Sequence, residues 1–542
     1  MHLFFQNHNY TEDDAEEYVS NPLNTFALIK RTGLEWPRVK NKLFGNDTND
    51  QIDNLLNLVK DYDIKESDLN GALNGLRLLI STYKFNLTDF ANGKISIPEA
   101  QRIDMDISEE YFEDTPLIVH DLHLLGQLAY NEKNLVQSID ILTAAEKLAK
   151  ERKDPLYKDI KYNLKTVIKK HDELRLRSQV DPKFILHHKP IGNLKNDKNF
   201  VKSIKISPFI TDPELAKKKK FANLPTKLPM PKLFKPNTDT TDSQILFDAA
   251  CRGEVLRDPK DDIGINCQFL HYYNPYLKLG PFKMETKNID PFVAIFRDFF
   301  GESEMKSYLE EANNSGQMKR STHGGSRFGE ASTYVASYSR TSKQTWIQEL
   351  RRDLPDGLVQ EGFLLPIANQ VSFRVQNATL MNVFTANGGE AYQVANYGIG
   401  GQYSKHLDAS GADRVAEPFK GVGDRIQTFM GYLVDVEAGG ATAFPLLGLS
   451  VWPRKGDAIT WYNLRRNGQN DPLTLHGGCP VIKGSKWITN KWIRQFPQLL
   501  NFPCNVEKNS DFLPPLQNDI CKVVPNCKPR FGLGAYSNDI KY

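Results

Sequence analysis

Apolar and polar residues alternate with the period of an amphipathic helix in the first part of the chain. Apolar side chains recur at three- and four-residue spacing in Asn24–Arg31 and again in Ile52–Val59. The same spacing continues at four later positions: Leu73, Leu76, Leu79 and Ile80. We therefore predict a helical region over residues 1–100. It forms either a small bundle or a surface through which two copies of the chain associate.

A second helical pattern follows, and it contains a helix pair. Leu122–Tyr130 is separated by the polar turn Asn131–Asn134 from a second amphipathic run, Leu135–Ala149. The pair is similar to one tetratricopeptide unit, in which Gly126 would let the two helices approach closely. Since one unit rarely suffices for stability, we expect a third helix, Tyr157–Leu174, to complete it.

This helical pattern predicts a tetratricopeptide-like peptide-binding domain over residues 101–180. Three tyrosines of the region either line a peptide groove or simply pack between the helices: Tyr130, Tyr157 and Tyr162. Residues 181–245 read as a linker, because the basic run Lys217–Lys220 is followed by closely spaced prolines that disfavour helix and sheet.

The pattern changes again in residues 246–504. Helices are predicted at Pro291–Phe300 and Ser303–Asn313, and short strand-like runs with intervening turn signals continue to Phe496. This alternation is typical of an all-β sandwich or barrel with helices packed outside it. The chain is thus predicted to be a multidomain α+β protein, and residues 505–542 form a tail without an assigned role.

Composition and charge exclude some classes of protein. The chain has 40% hydrophobic and 25% charged residues, as is usual for a globular protein. A net charge of +3 gives no reason to expect a nucleic-acid partner. No run of 18 apolar residues occurs, so we expect no membrane span.

The cysteines and glycosylation sequons point to an oxidising compartment. Six cysteines occur, all from residue 251 onward, and they read as three sequential pairs whose connectivity the spacing does not fix. Asn-x-Ser/Thr sequons occur at Asn9, Asn46, Asn86, Asn313 and Asn377. We therefore expect a secretory protein whose signal segment is missing from this sequence, because the first residues are too short an apolar stretch for one.

His406 and Asp408 are the first candidate metal ligands. In an extended strand, residues two apart point to the same face, so an imidazole and a carboxylate can reach one point. His476 offers a second imidazole further along. Two histidines and one carboxylate form the facial triad of non-haem iron(II) oxygenases. A second match to the His-x-Asp/Glu pattern, His171-Asp172-Glu173, lies on a predicted charged helix face and lacks this context.

Lys486 opens a predicted strand beside the strand that carries His476. A solvated strand-end lysine is the simplest interpretation. With a metal site adjacent, an inward-pointing cation would instead pair with the far carboxylate of a dicarboxylate co-substrate, whose other end would chelate iron. Tyr397, on the strand that leads to His406, is a plausible second donor to that carboxylate.

Several motifs together resemble the collagen prolyl 4-hydroxylase α subunit, a family of 2-oxoglutarate- and Fe(II)-dependent dioxygenases. In the C-terminal half they are A-N-Y-G-I-G-G-Q-Y-x-x-H-x-D, D-R-I, G-G-A-T-A-F-P, S-V-W-P-R-K-G, W-Y-N-L, H-x-x-C-P and K-W-I-T-N-K-W. Further upstream, the matching text is C-R-G-E at Cys251, the helix pair, and N-T-F-A-L-I-K-R at Asn24. The resemblance thus extends over nearly the whole chain.

The resemblance implies a double-stranded β-helix, or jelly-roll, fold for the catalytic domain and a role for each matching residue. His406, Asp408 and His476 would bind Fe(II). Lys486 would bind the distal carboxylate of 2-oxoglutarate, with Tyr397 and Thr442 assisting. The implied disulfides are Cys251–Cys267 and Cys479–Cys504.

The implied reaction is hydroxylation of peptidyl proline at C4 with O2 and 2-oxoglutarate, which releases succinate and CO2. The family also implies ascorbate as a cofactor, a proline-rich collagen-like substrate, a protein disulfide isomerase β subunit as partner, and the endoplasmic reticulum lumen as location. Two alternatives are a 2-oxoglutarate oxygenase that acts on another secreted proline-rich protein, and a catalytically silent subunit that only binds proline-rich peptides.

Overall fold

The computed structural model describes residues 12–43, 66–177, 211–212, 232–233 and 240–500, without 263, 273, 315, 317, 321–340, 350–362, 386, 411–420 and 466. The chain divides into two compact units. The helical unit comprises Met1–Pro231, Asp239–Asp248 and Ile482–Gly484, and the sheet unit comprises Lys232–Thr238, Ala249–Val481 and Ser485–Tyr542. The predicted helix at Ile52–Val59, most of the predicted linker and the predicted tail lie outside the described residues.

Helices dominate the described part of the helical unit up to residue 177. In chain order the elements are α1 (Glu12–Ser20), α2 (Pro22–Lys30), a π-helical turn (Arg31–Glu35), α3 (Trp36–Leu43), α4 (Glu66–Tyr83), α5 (Leu87–Ala91), β1 (Lys94–Ser96), α6 (Glu99–Met105), β2 (Tyr111–Glu113), α7 (Val119–Asn131), α8 (Leu135–Glu151) and α9 (Tyr157–Arg177). The antiparallel pair β1–β2 was not predicted, since strands of three residues are too short to show a periodic pattern.

The predicted helix pair and its flanking third helix are confirmed as α7, α8 and α9. Helix α8 packs against both α7 and α9. Gly126 makes the first contact possible, because a Cβ at this position would lie only 2.6 Å from Cδ2 of Leu142. The hydroxyl of Ser138 donates to the carbonyl of Gly126 at 2.8 Å across the same contact. Close backbone approach therefore explains the glycine, as the sequence indicated.

From residue 240 onward, strands dominate. The elements are α10 (Thr240–Cys251), a 3-10 turn (Pro259–Asp262), β3 (Cys267–Leu270), α11 (Pro275–Leu279), β4 (Phe282–Asn288), β5 (Val293–Arg297), α12 (Glu302–Asn314), β6 (Lys319–Arg320), β7 (Lys343–Gln348), β8 (Phe363–Leu364), α13 (Pro366–Thr379), β9 (Tyr392–Tyr397), β10 (Tyr403–His406), β11 (Arg425–Tyr432), β12 (Ala438–Gly439), β13 (Thr442–Phe444), β14 (Leu449–Val451), β15 (Ala458–Tyr462), a 3-10 turn (Pro472–Thr474), β16 (His476–Gly478), β17 (Val481–Lys483), β18 (Lys486–Arg494) and a 3-10 turn (Phe496–Gln498).

Two antiparallel sheets organise the sheet unit. The larger has ten strands in the order β3-β4-β5-β15-β11-β18-β9-β7-β6, with β8 parallel to β7 at its side. The smaller has the order β10-β16-β13-β14. Antiparallel sheets with outer helices are consistent with the jelly-roll expectation. No helix among the described residues is long and apolar enough to cross a membrane.

One predicted helix is wrong, because the interior of Pro291–Phe300 forms strand β5. The run from Val293 to Phe296 is completely or almost completely buried between β4 and β15. A short apolar run that is buried on both faces has no amphipathic period, so strand and helix cannot be distinguished from its sequence. The next predicted helix, Ser303–Asn313, is confirmed as α12.

The hydrophobic core lies between the larger sheet and the helices α12 and α13. The core includes Met305 and Val371 from the helices, and Phe296 and Phe429 from the sheet. Strand β11 contributes to both faces of the sheet: Phe429 packs in the core, whereas its neighbour Met430 lines a cavity on the other face. The site described below lies in that cavity.

Candidate active site

Strand pairing brings the two predicted histidine ligands together. Strands β10 and β16 are antiparallel neighbours in which His406 lies directly opposite His476, and the ring centroids are 4.4 Å apart. Asp408 follows two residues after His406. One of its carboxylate oxygens is 3.4 Å from Nε2 of His406, and the other is 3.7 Å from Nε2 of His476. One ligand atom from each residue lies within 4.8 Å of the others.

Hydrogen bonds fix which ring nitrogen each histidine offers. Nδ1 of His406 donates to the carbonyl of Ser404 at 2.9 Å, and Nδ1 of His476 donates to the carbonyl of Thr474 at 2.9 Å. A carbonyl only accepts, so Nδ1 of each ring carries a proton, and Nε2, which faces Asp408, is the nitrogen that each ring can offer to a metal ion. This is the arrangement by which metal-binding histidines are oriented.

The protonation states of Asp408 and His476 suit a metal ion. Burial raises the pKa of Asp408, but His476, His406 and Arg425 together outweigh it and hold that pKa well below its usual range. Burial also lowers the pKa of His476 to about 4, so this imidazole is neutral at neutral pH. Two imidazole nitrogens and one carboxylate oxygen are the donor set of the facial triad, and Fe(II) fits these residues.

Lys486 is the main cation of the cavity. Its side chain is almost completely buried, and Nζ donates to the carbonyl of Gly440 at 2.7 Å and to Oγ1 of Thr442 at 3.2 Å. No carboxylate among the described residues forms an ion pair with it. Burial therefore lowers the pKa of Lys486 to about 7. An anion that entered the cavity would restore the charged form.

Thr442 complements this lysine. Its Oγ1 accepts from Lys486 and also from the hydroxyl of Tyr432, which lies at 2.9 Å. A hydroxyl has two lone pairs and one proton. Because both lone pairs are occupied, the proton of Thr442 remains for a further acceptor. Lys486 likewise has three N–H groups, of which two are used.

The predicted metal ligands and co-substrate-binding residues line one cavity. Tyr397 lines it and is directly paired with Lys486 across β9 and β18. The described cavity wall is completed by aromatic, aliphatic and amide side chains: Tyr403, Met430, Trp461, Ile488, Asn490 and Trp492. In contrast, Tyr130, Tyr157 and Tyr162 belong to the helical unit, where Tyr162 is 71% exposed.

The disulfide expectation requires correction. Cys251 is bonded to Cys479, with their Cα atoms 5.5 Å apart, and not to Cys267. The end of α10 lies against the smaller sheet, where the hydroxyl of Ser450 donates to the carbonyl of Ala250 at 2.6 Å, so Cys251 lies beside the residue that follows β16. Cys267 is exposed on the edge strand β3 and is not disulfide-bonded. Cys479 is thereby removed from the expected pair with Cys504, which lies outside the described residues.

The second His-Asp pair differs from the candidate site in its surroundings. His171 is completely buried, contrary to the expected charged surface, and Nδ1 contacts Oδ1 of Asp172 at 2.8 Å. Asp172 accepts hydrogen bonds from the backbone of Thr211 and Asp212. Among the described residues, only His406, Asp408 and His476 form a group with metal-ligand geometry.

Three residues of the site were not found from the sequence: Tyr432, Thr428 and Asn463. Thr428, Met430 and Tyr432 occupy alternate positions of β11 and extend from one face of the sheet. The available signal was a pair of hydroxyl-bearing residues, Thr428 and Tyr432, four positions apart on one face of the strand. By itself that signal is weak, because strands of many proteins contain such residues.

Comparisons with known proteins match two regions of the chain to described families. Residues 2–97 match the family model of the prolyl 4-hydroxylase alpha-subunit N-terminal region, and residues 392–494 match that of the 2OG-Fe(II) oxygenase superfamily. Prolyl 4-hydroxylase subunit alpha-2 of Caenorhabditis elegans is 30% identical over 519 residues, which are 94% of this chain and 86% of that protein.

Human prolyl 4-hydroxylase subunit alpha-1 is 28% identical over 526 residues, covering 91% of this chain and 86% of that protein. Among solved structures, the viral collagen prolyl hydroxylase of Paramecium Bursaria Chlorella virus-1 is 25% identical, covering 37% of this chain and 95% of that one, with a TM-score of 0.27.

Proposed function

The chain belongs to the family of prolyl 4-hydroxylase alpha subunits, and on that premise we propose that it hydroxylates C4 of peptidyl proline in collagen-like, proline-rich polypeptides. The protein is an Fe(II)- and 2-oxoglutarate-dependent dioxygenase. In the overall reaction, one oxygen atom of O2 enters the proline hydroxyl and the other enters succinate, while C1 of 2-oxoglutarate leaves as CO2. The two electrons needed beyond those of the C–H bond come from 2-oxoglutarate.

The observation that carries the proposal is the convergence of His406, Asp408 and His476 on one point. These residues would hold Fe(II), which when bound supplies the redox chemistry that couples O2 to 2-oxoglutarate. The protein orients the ligands: each imidazole is locked by a backbone carbonyl, and the carboxylate stays ionised. The cavity wall is aromatic beside the ligands, and the ring centroid of Trp461 lies 4.6 Å from that of His476.

Lys486, Thr442 and Tyr397 would bind the distal carboxylate of 2-oxoglutarate. Support comes from the remaining hydrogen-bond capacity of the first two groups and from the absence of a carboxylate partner for Lys486 among the described residues. Charge-assisted hydrogen bonds from a lysine and a hydroxyl to a carboxylate are strong in a buried site. The bound co-substrate would also remove the cost of a buried, unpaired ammonium group.

The remaining features of the proposal follow the family. We place the peptide substrate on residues 101–180 as a tetratricopeptide-like domain, with Tyr130, Tyr157 and Tyr162 as candidate contacts. Residues 1–100 would serve self-association, and residues 246–504 would form the catalytic domain. A protein disulfide isomerase β subunit would be the partner, and the endoplasmic reticulum lumen would be the location. Ascorbate would reduce oxidised iron back to Fe(II).

A turnover assay tests the proposed function. Succinate release from 2-oxoglutarate is measured with Fe(II) and ascorbate, with and without (Pro-Pro-Gly)n peptide, and in both cases with and without protein disulfide isomerase. Peptide-stimulated succinate release is expected. Peptide binding without such release under any of these conditions would favour a silent binding subunit. Release stimulated only by other secreted proline-rich proteins would move the substrate away from collagen-like sequences.

A further inference from the structure

We propose that Thr428 and Asn463 are positioning residues that hold the carboxylate of Asp408 in its metal-binding orientation and so set the affinity of the site for a divalent cation. The inference rests on the proposed function in taking His406, Asp408 and His476 as the metal ligands. Neither residue touches the reacting atoms. Both act through Asp408, in the manner of the outer partners that orient metal ligands in other proteins.

The first link is a short hydrogen bond to the carboxylate. Oγ1 of Thr428 donates to Oδ2 of Asp408 at 2.6 Å, a length typical of a hydroxyl bonded to a carboxylate anion. Thr428 is 1% exposed, and the Asp408 side chain is 5% exposed. Water therefore competes little for this contact, and the bond is correspondingly strong.

The second link fixes the direction of the first. Nδ2 of Asn463 lies 2.8 Å from Oγ1 of Thr428. If the amide donates, the single hydroxyl proton of Thr428 is committed to Asp408. If the amide oxygen of Asn463 faced Thr428 instead, the hydroxyl would donate to that oxygen and the buried carboxylate would lose its hydrogen bond. This orientation is unfavourable because an ionised acceptor binds a hydroxyl more strongly than a neutral one does. Asn463 therefore keeps the hydroxyl pointed at Asp408.

Rigid strands anchor both links. Strand β11 lies between β15 and β18, and Thr428 is paired with Trp461 on one side and Trp492 on the other. Asn463 follows the last residue of β15. Its backbone N–H donates to the carbonyl of Ile426 at 2.8 Å, and its carbonyl accepts from the N–H of Asp471 at 2.9 Å. These backbone hydrogen bonds hold Thr428 and Asn463 in fixed positions relative to Asp408.

Asp408 itself needs that support. Strand β10 ends at His406, so Asp408 lies beyond the hydrogen-bonded pairing that fixes both histidines. Thr428 supplies the hydrogen bond that holds its carboxylate toward the two Nε2 atoms. The hydroxyl of Thr428 therefore does for the third ligand what the carbonyls of Ser404 and Thr474 do for the two imidazoles.

Cobalt(II) binding to the metal-free, full-length protein tests this inference without turnover. The dissociation constant and the visible absorption spectrum of the Co(II) complex are measured for the wild type and for Thr428→Val, Thr428→Ser and Asn463→Ala. Thr428→Val keeps the β-branched shape but loses the hydroxyl, and we expect binding to weaken by about 10- to 100-fold. Thr428→Ser should restore most of the affinity. Asn463→Ala should weaken binding less, and combining it with Thr428→Val should add no further loss.

Thr460→Val is the matched control. Thr460 is a buried neighbour whose hydroxyl donates to the backbone carbonyl of Thr428 at 2.8 Å and not to Asp408. This variant should change the thermal unfolding midpoint but not the Co(II) affinity or spectrum. Equal Co(II) affinity and spectra for the wild type and a folded Thr428→Val would overturn the inference.

If Thr428→Val does not fold, the outcome is decided by Asn463→Ala and Thr428→Ser. A folded Asn463→Ala with wild-type affinity would then contradict the proposed chain of contacts. A wild-type protein that binds no Co(II) would instead overturn the triad itself, and so the two failures are distinguishable.

Discussion

Tyr397 and Lys486 are directly paired residues of the neighbouring strands β9 and β18, so both side chains extend from one face of the larger sheet into the cavity. Lys486 is thereby buried without a carboxylate partner among the described residues. This arrangement is unfavourable for the protein alone and favourable once an anion binds. It has separate consequences for stability and for ligand affinity.

The first consequence concerns stability. Burial lowers the pKa of Lys486 from 10.5 in the unfolded chain to about 7 in the folded protein. The unfolded state therefore binds more protons between these values, and stability should rise with pH across this window. Lys486→Met should remove that dependence and stabilise the co-substrate-free protein at neutral pH by a few kcal/mol, in order of magnitude.

The free energy of unfolding, measured with urea below pH 7 and near pH 9 for the wild type and Lys486→Met, checks this pH dependence. The control is Lys306→Met, whose side chain is 74% exposed and which should alter neither the stability nor its pH dependence. A Lys486→Met protein less stable than the wild type at every pH would contradict the assignment of an unpaired buried charge.

The second consequence concerns co-substrate affinity. Below pH 7, Lys486 is already protonated and the affinity for 2-oxoglutarate should not change with pH on its account. Above about 7, binding of a carboxylate must bring a proton to the amine, so affinity should fall as pH rises. Calorimetric titrations at pH 8, in buffers with different ionisation enthalpies, should show net proton uptake. Equal heats in all buffers would remove Lys486 from the binding site.

The disulfide can be tested by peptide mapping. Digestion of the unreduced protein with alkylated free thiols should yield a cross-linked peptide that contains Cys251 and Cys479, whereas Cys267 should be alkylated. Cys251–Cys267 and Cys479–Cys504 cross-links would instead support the pairing that the family resemblance implied. Mapping of Cys267→Ser separates the two outcomes further, because the Cys251–Cys479 bond should persist in it.

The contact between α7 and α8 predicts a contrast between two glycines. Gly126→Ala would place a methyl group 2.6 Å from Leu142 and should destabilise the protein by about 1–3 kcal/mol through overpacking. Gly71→Ala lies on α4 with no atom within 4 Å of the added Cβ, and should stabilise it by up to about 1 kcal/mol. Chemical denaturation followed by circular dichroism measures both. Equal effects would mean that α7 and α8 are not in close contact.

The sequence was most informative where chemistry and strand geometry coincide. His406 and Asp408 stand two residues apart, so the sequence could place both side chains at one point, although strand β10 ends at His406 and Asp408 lies just beyond it. His476 was predicted as the second histidine ligand, but its place directly opposite His406 depends on the register of β10 and β16, which the sequence did not show. The residues that hold Asp408 were missed because the contacts span 20 and 35 positions and involve common residue types.

The errors have physical causes too. Strand β5 was predicted as part of a helix because full burial removes the period that distinguishes the two structures. The disulfide was assigned to sequential cysteines, whereas Cys251 and Cys479 are separated by 228 positions and meet only because the end of α10 lies against the smaller sheet. Both depend on tertiary contacts that local sequence does not encode.

The triad of His406, Asp408 and His476 is proposed to direct oxidation to C4 of peptidyl proline. The most direct measurement is the ratio of 4-hydroxyproline formed in (Pro-Pro-Gly)n to succinate released, for the wild type and for Asp408→Asn, with folding of both checked by circular dichroism. Asp408→Asn preserves the shape of the side chain and removes its charge. We predict a ratio of about one for the wild type, as the stoichiometry of such dioxygenases requires, and neither product for Asp408→Asn. Succinate without 4-hydroxyproline from the wild type, or undiminished 4-hydroxyproline from Asp408→Asn, would contradict the account.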